Sequence, residues 1–376
     1  MSANASLYNA LILDFGSGTI KAGFSGEDMP SLTFESYIGK PKYKKLLGRE
    51  ENTDIIGPSK ELRGLFKLTR PVVHASLKSE FVPKLFNHIW ADLKLEQDKF
   101  PVFMTEAPFT PLKEKVELAS FLFENKGSSS VFFGTQGVLS LYAFGKTDGL
   151  MLESGEGVTQ VVPIYNGYKL DHAVEKINFG GGDVSAQLNV LLRKNGNIIS
   201  LSNEQCLFDE MKRAVIELLP TPAEQDGKAD FKRVVEEVKY ELPDGETINI
   251  RSEKVQAAEI LFNPSLAGFE FLGLHEMISQ SIKKLDLDLR KNMYKNIYIS
   301  GGNTMINGFP ERLGNELSPL VFEKTPVSIT AANVDRTVLA WQGGSAVSQL
   351  TAFQNLWISQ ADFKEHGERI FLNKAF

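Results

Sequence analysis

Leu11-Ile12-Leu13-Asp14-Phe15-Gly16-Ser17-Gly18 sets the reading of this chain, because a second stretch repeats its grammar. Leu150-Met151-Leu152-Glu153-Ser154-Gly155-Glu156-Gly157 is again an apolar strand, an acid at its end and a tight Gly/Ser turn. The acids Asp14 and Glu153 are 139 residues apart. Each turn is therefore expected to serve one lobe of a two-lobed clamp. Glycine turns let backbone N–H groups converge on an anion, because no side chain blocks the approach. An acid beside such a turn is placed to handle the cation that accompanies a nucleotide phosphate. One such turn would be an ordinary hairpin; two predict a nucleotide held between lobes.

Outward from the turns, both halves read as α/β. In the first, Lys21-Ala22-Gly23-Phe24 begins a return strand and Pro101-Val102-Phe103-Met104 supplies another. Thr110-Pro111 predicts a helix start, with Thr at the N-cap and Pro at the first helical position. A second helix is expected over Gln136 to Phe144. In the second half, Asn166-Gly167 between Val158–Val162 and Tyr168–Leu170 predicts a hairpin. Gly180-Gly181-Gly182-Asp183 leads into a helix through Leu188, Leu191 and Leu192. Ser202 to Lys239 reads as a polar helical insertion that ends at Pro243-Asp244-Gly245. Leu274, Met277, Ile278, Ser281, Ile282 and Leu285 keep helical spacing. Ile297–Ser300 reads as a strand, then Gly301-Gly302, then a helix: a third phosphate-compatible corner.

Bulk properties bound the function. With 376 residues the chain exceeds one core, so two domains are expected. Hydrophobic residues at 42% and charged residues at 23% are an ordinary globular balance. A net charge of −6 argues against non-specific nucleic-acid binding. Cys206 is the lone cysteine, so no intramolecular disulfide forms, which fits a reducing compartment. The histidines at 74, 88, 172, 275 and 366 make no local zinc motif. The sequence shows neither a signal-peptide pattern nor a membrane-length apolar run, so a cytoplasmic or nuclear protein is expected.

Three turns in this order, with these neighbours, resemble the actin family. Thr105-Glu106-Ala107-Pro108, Val138–Ala143, Val161–Tyr165, Ser300-Gly301-Gly302 and Trp357-Ile358-Ser359 look like actin-family blocks, and the resemblance runs nearly end to end. Ile55–Pro58 and Asn307–Leu313 look nearer to the family's centractin branch. The resemblance implies the α/β actin-like ATPase fold: two lobes, each with a smaller subdomain, around a nucleotide cleft that takes ATP or ADP with Mg²⁺ or Ca²⁺. The first lobe would comprise residues 1–145 with 338–376, its small subdomain at about 35–72. The second would comprise 146–337, with an inserted subdomain at about 183–262.

The site residues then follow from the resemblance. Gly16, Ser17, Gly18 and Lys21 match the first phosphate loop; Gly155, Glu156, Gly157 and Val158 match the second. Asp14 and Glu153 match the cation-associated acids. Gln136 matches the glutamine that helps position the attacking water, and Gln160 stands where actins carry histidine. Gly181, Lys212, Arg213, Gly301, Gly302, Met305 and Thr337 fall at the base and ribose contacts. His74 matches a histidine often methylated in actins.

Departures cluster in this pocket. Glu153 replaces Asp, which moves the carboxylate by about 1.5 Å, one C–C bond. Gln160 can orient water but cannot take a proton near neutral pH, a loss worth on the order of 10²–10⁴-fold. Phe15 replaces an asparagine, Gly182 an arginine and Thr337 a lysine, and Arg213 replaces a glutamate that could accept from ribose hydroxyls. These changes predict nucleotide binding with weakened hydrolysis.

Partner surfaces are also implied. Lys40 to Asp54 matches a slightly longer family loop that inserts into the next filament subunit. Leu266–Gly273 matches the family's apolar inter-strand loop and is expected to be an exposed patch, local core packing being the alternative. The expected role is a structural subunit of a cytoskeletal or motor-associated assembly. Its partners would be other actin-fold subunits or actin-binding and dynein-associated proteins, in a cytoplasmic, axonemal or nuclear setting. The alternatives are a filament-forming actin ATPase and a chromatin-remodeller subunit.

Overall fold

The computed structural model describes residues 10–42, 54–95, 99–197, 199, 204–222, 224–225, 228–229, 235–321 and 325–374. By internal contacts the chain forms two compact units. One comprises Met1–Met151, Val162–Lys176 and Thr337–Phe376; the other comprises Leu152–Val161 and Ile177–Arg336. Among the described residues no helix is long and apolar enough to cross a membrane.

The first unit is built on a six-stranded sheet. Its order is Ile358–Ser359, Ser130–Thr135, Val102–Glu106, Leu11–Phe15, Thr19–Phe24 and Leu32–Glu35. The three inner strands Ser130–Thr135, Val102–Glu106 and Leu11–Phe15 run parallel. Strand alternation divides the core around this sheet. Leu11, Leu13 and Phe15 join one buried cluster with Phe86, Leu85 and Ile89. Ile12 joins another with Phe103, Phe132, Leu139 and Trp341. Phe15 stacks at 5.3 Å on Phe86, so the ring that replaces a polar side chain belongs to the core. Helix Leu339–Ser348 packs on helix Gln136–Ala143 so closely that a Cβ at Gly343 would stand 1.9 Å from the Leu139 carbonyl oxygen.

A smaller three-stranded sheet of Ile55–Ile56, Ile38–Pro41 and Phe66–Thr69 also lies in this unit. Residues 43–53, most of the loop from Lys40 to Asp54, lie outside the described residues.

The second sheet has the order Tyr168–Lys169, Thr159–Tyr165, Gly149–Ser154, Ile297–Ser300 and Ile329–Ala331, with Glu175–Ile177 paired to Thr159–Tyr165. The expected hairpin forms at Asn166-Gly167, both with positive φ (51° and 83°), the signature of a type I′ turn. Helix Gly181–Lys194 follows the glycine run, with Asp183 Oδ2 accepting from Gly180 N at 2.8 Å.

Three local expectations are corrected. Thr110 does not cap its helix: its hydroxyl donates back to Ala107 O at 2.8 Å, and Pro111 takes the cap position of Leu112–Asn125. Among the described residues of the stretch from Ser202 to Lys239, only Glu204–Val215 is helical. Past Val215 the chain leaves the helix to bridge Glu217 to Asn307, and Val238–Glu241 alternates in burial and pairs with Thr247–Ile250 as a hairpin. Gly301-Gly302 opens a 3-10 turn, Gly302–Met305, and the α-helix begins only at Phe309. No helix dipole therefore bears on this third corner.

Candidate functional site

In the first unit the candidate residues gather where parallel strands end, the edge at which open α/β sheets place ligands. Asp14 closes Leu11–Phe15, Thr105 lies at the end of Val102–Glu106, and Gln136 begins the helix after Ser130–Thr135. The antiparallel register sets Asp14 opposite Lys21. Lys21 Nζ donates to Asp14 Oδ2 at 2.8 Å, and both side chains are almost fully buried. Thr105 Oγ1 donates to Asp14 Oδ1 at 2.5 Å and Gln136 Nε2 to the same oxygen at 3.0 Å. Burial works against the carboxylate's charge, but the Lys21 ammonium and these hydrogen bonds outweigh it and hold Asp14 below its ordinary range.

Gly16 N bonds Thr19 O at 3.1 Å and closes the first turn. Ser17 is fixed from outside: Arg70 Nη1 donates to its carbonyl, and Ala75 N donates to its Oγ at 3.4 Å. His74 and Ala75 are both left-handed, with φ of 50° and 62°. Thr337 also belongs to this unit and is half-buried.

The second turn copies the first. Gly155 N bonds Val158 O at 3.0 Å, the same span as Gly16 to Thr19. Ser154 Oγ then meets Thr159 Oγ1 at 2.9 Å, and one step further out Gln160 Nε2 donates to Glu153 Oε2. Glu153 thus occupies the place of Asp14, and Gln160 the place of Lys21. Both Glu153 and Gln160 are buried. A carboxylate can only accept, so the amide must present its NH₂ group to it. Gln160 Oε1 is left buried and without a hydrogen-bond partner among the described residues.

Two further glycine corners dock on this turn. Gly181 N donates to Gly155 O and Gly182 N to Glu156 O, both at 2.9 Å. Asn303 Nδ2 donates to Ser154 Oγ at 2.9 Å and to Gly155 O at 2.8 Å. A Cβ at Gly301, where φ is +92°, would stand 2.4 Å from Ser154 O. Arg336 braces this corner by donating from Nε to Thr304 Oγ1 at 3.0 Å. Met305 beside it is 46% exposed.

Lys212 Nζ lies 2.6 Å from Glu156 Oε2 and donates to Gly181 O at 2.7 Å. Asp209 Oδ1 is 3.8 Å from the same nitrogen. Lys212 and Glu156 both face Gly181, where a Cβ would come within 2.7 Å of each. Arg213, next in the helix, is exposed. Gly182 leaves open the space in which a Cβ would contact Glu156 O at 3.3 Å.

The structure therefore gathers Asp14, Gln136 and Lys21 around the first turn. It gathers Glu153, Gln160, Glu156, Lys212, Gly181 and Gly301 around the second. Thr105, Arg70, Asn303 and Asp209 were not foreseen as site residues. Thr105 and Asn303 carried a signal, each being a polar residue beside an apolar strand or glycine pair. Arg70 and Asp209 arrive from distant segments and carried none.

The inter-strand loop divides in two. Phe269 and Phe271 pack on Phe179 at 5.3 and 4.9 Å, which is local core packing. Leu266 and Leu272 stay exposed, and the two phenylalanines are half-buried.

Comparison with known proteins agrees with this geometry. A family model described as Actin matches residues 6–376. An actin-like protein of Neurospora crassa is 36% identical over 376 residues, covering 97% of this chain and 98% of that protein. With that match spanning nearly the whole chain and two copies of the acid-and-glycine turn in place, the chain belongs to the actin family.

Proposed function

We propose that this protein binds ATP or ADP with a divalent cation and hydrolyses it slowly, acting as a structural subunit of a cytoskeletal or motor-associated assembly. The observation that carries the reading is the Glu153–Gln160 hydrogen bond. It commits the Gln160 amide to orienting a neighbour, and an amide has no basic nitrogen to accept a proton at neutral pH.

The residues present fit the ligand. Backbone N–H groups at Ser17, Gly18, Glu156, Gly157 and Val158, with Lys21, would hold phosphates, while Gly16 N and Gly155 N close the two turns. Asp14 and Glu153 would hold the cation through water, as suits magnesium. The cation supplies charge neutralisation on the phosphates when bound. Lys212, Gly181, Gly301, Gly302, Met305 and Thr337 would face the base and ribose. Arg213 cannot accept from a ribose hydroxyl, whereas the Glu156 carboxylate beside Lys212 can. Bound nucleotide would then act as a stabilising ligand.

Single-turnover hydrolysis on purified protein tests the reading. Stoichiometric nucleotide retention with slow phosphate release is expected; release at the rate of a conventional actin would overturn it. The filament-forming ATPase remains the second reading, favoured by two observations. Gln136 is kept and bonded to Asp14, and Gln160 Oε1 is a buried acceptor able to orient water. Sedimentation with ATP, magnesium and salt separates the two, since long filaments with phosphate release belong to the second.

A further inference from the structure

A cavity of about 450 Å³ opens in the second unit, apart from the three glycine corners. That lies within the roughly 300–1,000 Å³ range of ligand sites. Arg312 forms its floor. It is 1% exposed, and its guanidinium lies 4.9 Å from the Phe262 ring. Its fork meets Glu259 at 2.7 and 2.8 Å, and Nε donates to Glu316 Oε1 at 2.8 Å. Phe269, Phe271, Pro264 and Leu266 line the walls.

The lining carries four carboxylates, Glu259, Glu270, Glu276 and Glu316, against the single guanidinium. Glu259 is satisfied by Arg312, and Glu276 Oε2 accepts from Gly273 N at 2.9 Å. Glu270 is exposed at the rim. His275 Nδ1 is buried in the lining without a partner among the described residues. Burial lowers the His275 pKa despite Glu316 and Glu276. Its Nδ1 can take a polar partner from an occupant, as acceptor or, in the other tautomer, as donor.

An occupant must therefore be cationic, flat enough for aromatic walls and rich in N–H donors. A guanidinium meets all three conditions, stacking on aromatic faces while donating to carboxylates. The floor already contains that pairing in Arg312 on Phe262 and Glu259. Leu266, in the lining and 51% exposed, adds an apolar shoulder that a free small cation would leave bare. We propose that this cavity receives the arginine side chain of a polypeptide partner whose neighbouring residues are apolar.

The test uses the full chain and fluorescence polarisation. Its probes are a labelled pentapeptide with arginine between two leucines and the same peptide with neutral citrulline instead. The arginine peptide is expected to bind at least about tenfold tighter. Glu270→Gln with Glu276→Gln should bring the two peptides close together, and Leu266→Ser should weaken both. Glu276 caps a helix, so Glu270→Gln alone, at an exposed carboxylate, serves if the double variant misfolds. Equal binding of the two peptides, no saturable binding, or indifference to Glu270→Gln would overturn the proposal. Agmatine competing as well as the unlabelled peptide would overturn the polypeptide partner in favour of a small cation.

Discussion

Glu153 and Gln160 face each other across the second turn as Asp14 and Lys21 do across the first, with an amide where the other turn has an ammonium. The long acid and the amide are therefore one coupled change. Reverting only one member leaves the other mismatched. Glu153→Asp with Gln160→His is expected to raise single-turnover phosphate release by about 10²-fold, the low end for a restored proton acceptor. Gln160→His alone should gain less, because the imidazole N–H is held by Glu153. An unchanged rate in the double variant would overturn the link between this pair and hydrolysis.

The Asp14–Lys21 pair should be a stability element as well as a site element. Lys21→Met leaves a buried carboxylate without its cation, at a cost of about 3–5 kcal/mol in urea denaturation. The pH dependence follows from the lowered Asp14 pKa. Its contribution is complete above the unfolded value near 3.8 and is lost as pH falls through the lower folded value. Lys21→Met raises the folded value, so acid unfolding followed by circular dichroism should begin at a higher pH. An unmoved midpoint would refute the assignment.

Gly301 and Gly245 separate backbone strain from close approach. Both have positive φ, +92° and +86°, but nothing lies within 4 Å of a Cβ at Gly245, whereas Ser154 O would stand 2.4 Å from one at Gly301. Gly245→Ala should cost about 1 kcal/mol from conformation alone. Gly301→Ala should cost distinctly more and weaken retention of a fluorescent ATP analogue. Equal melting shifts would mean that the third corner is not docked on Ser154.

Glu259→Gln should destabilise the second unit by about 1.5–3 kcal/mol, because Arg312 would keep its charge in a buried site with only Glu316 beside it. Glu259→Met with Arg312→Met should cost less than the sum of the two single changes. Calorimetric melting of the four proteins closes this double-mutant cycle. Additive losses would show that the pair acts as two independent residues.

Much of the fold is written locally. Leu11–Phe15, Ile297–Ser300 and the Asn166-Gly167 hairpin are legible because apolar runs and positive-φ residues act over a few positions. Thr110 misled because its hydroxyl found Ala107 O before any helix N–H. Val238–Glu241 was hidden because its pairing partner lies beyond a turn. In the site, the turn residues were readable but the bonds were not. Sequence alone points Lys21 at phosphate and Gln160 at water; in the fold each is held by the acid seven positions before it. The spacing was the same in both turns, and only the folded register shows that it brings the members of each pair together.

The docking of Gly180–Gly182 on the second turn is made of main-chain groups, and the Asn303 side chain adds its bonds from the Gly301 corner. Side-chain replacement at Glu153, Gln160, Gly182 or Arg213 removes none of those bonds. Such a scaffold tolerates the erosion of an enzymatic activity while the ligand cradle persists. A lineage can shed turnover one residue at a time and still inherit a nucleotide-shaped keystone for its fold.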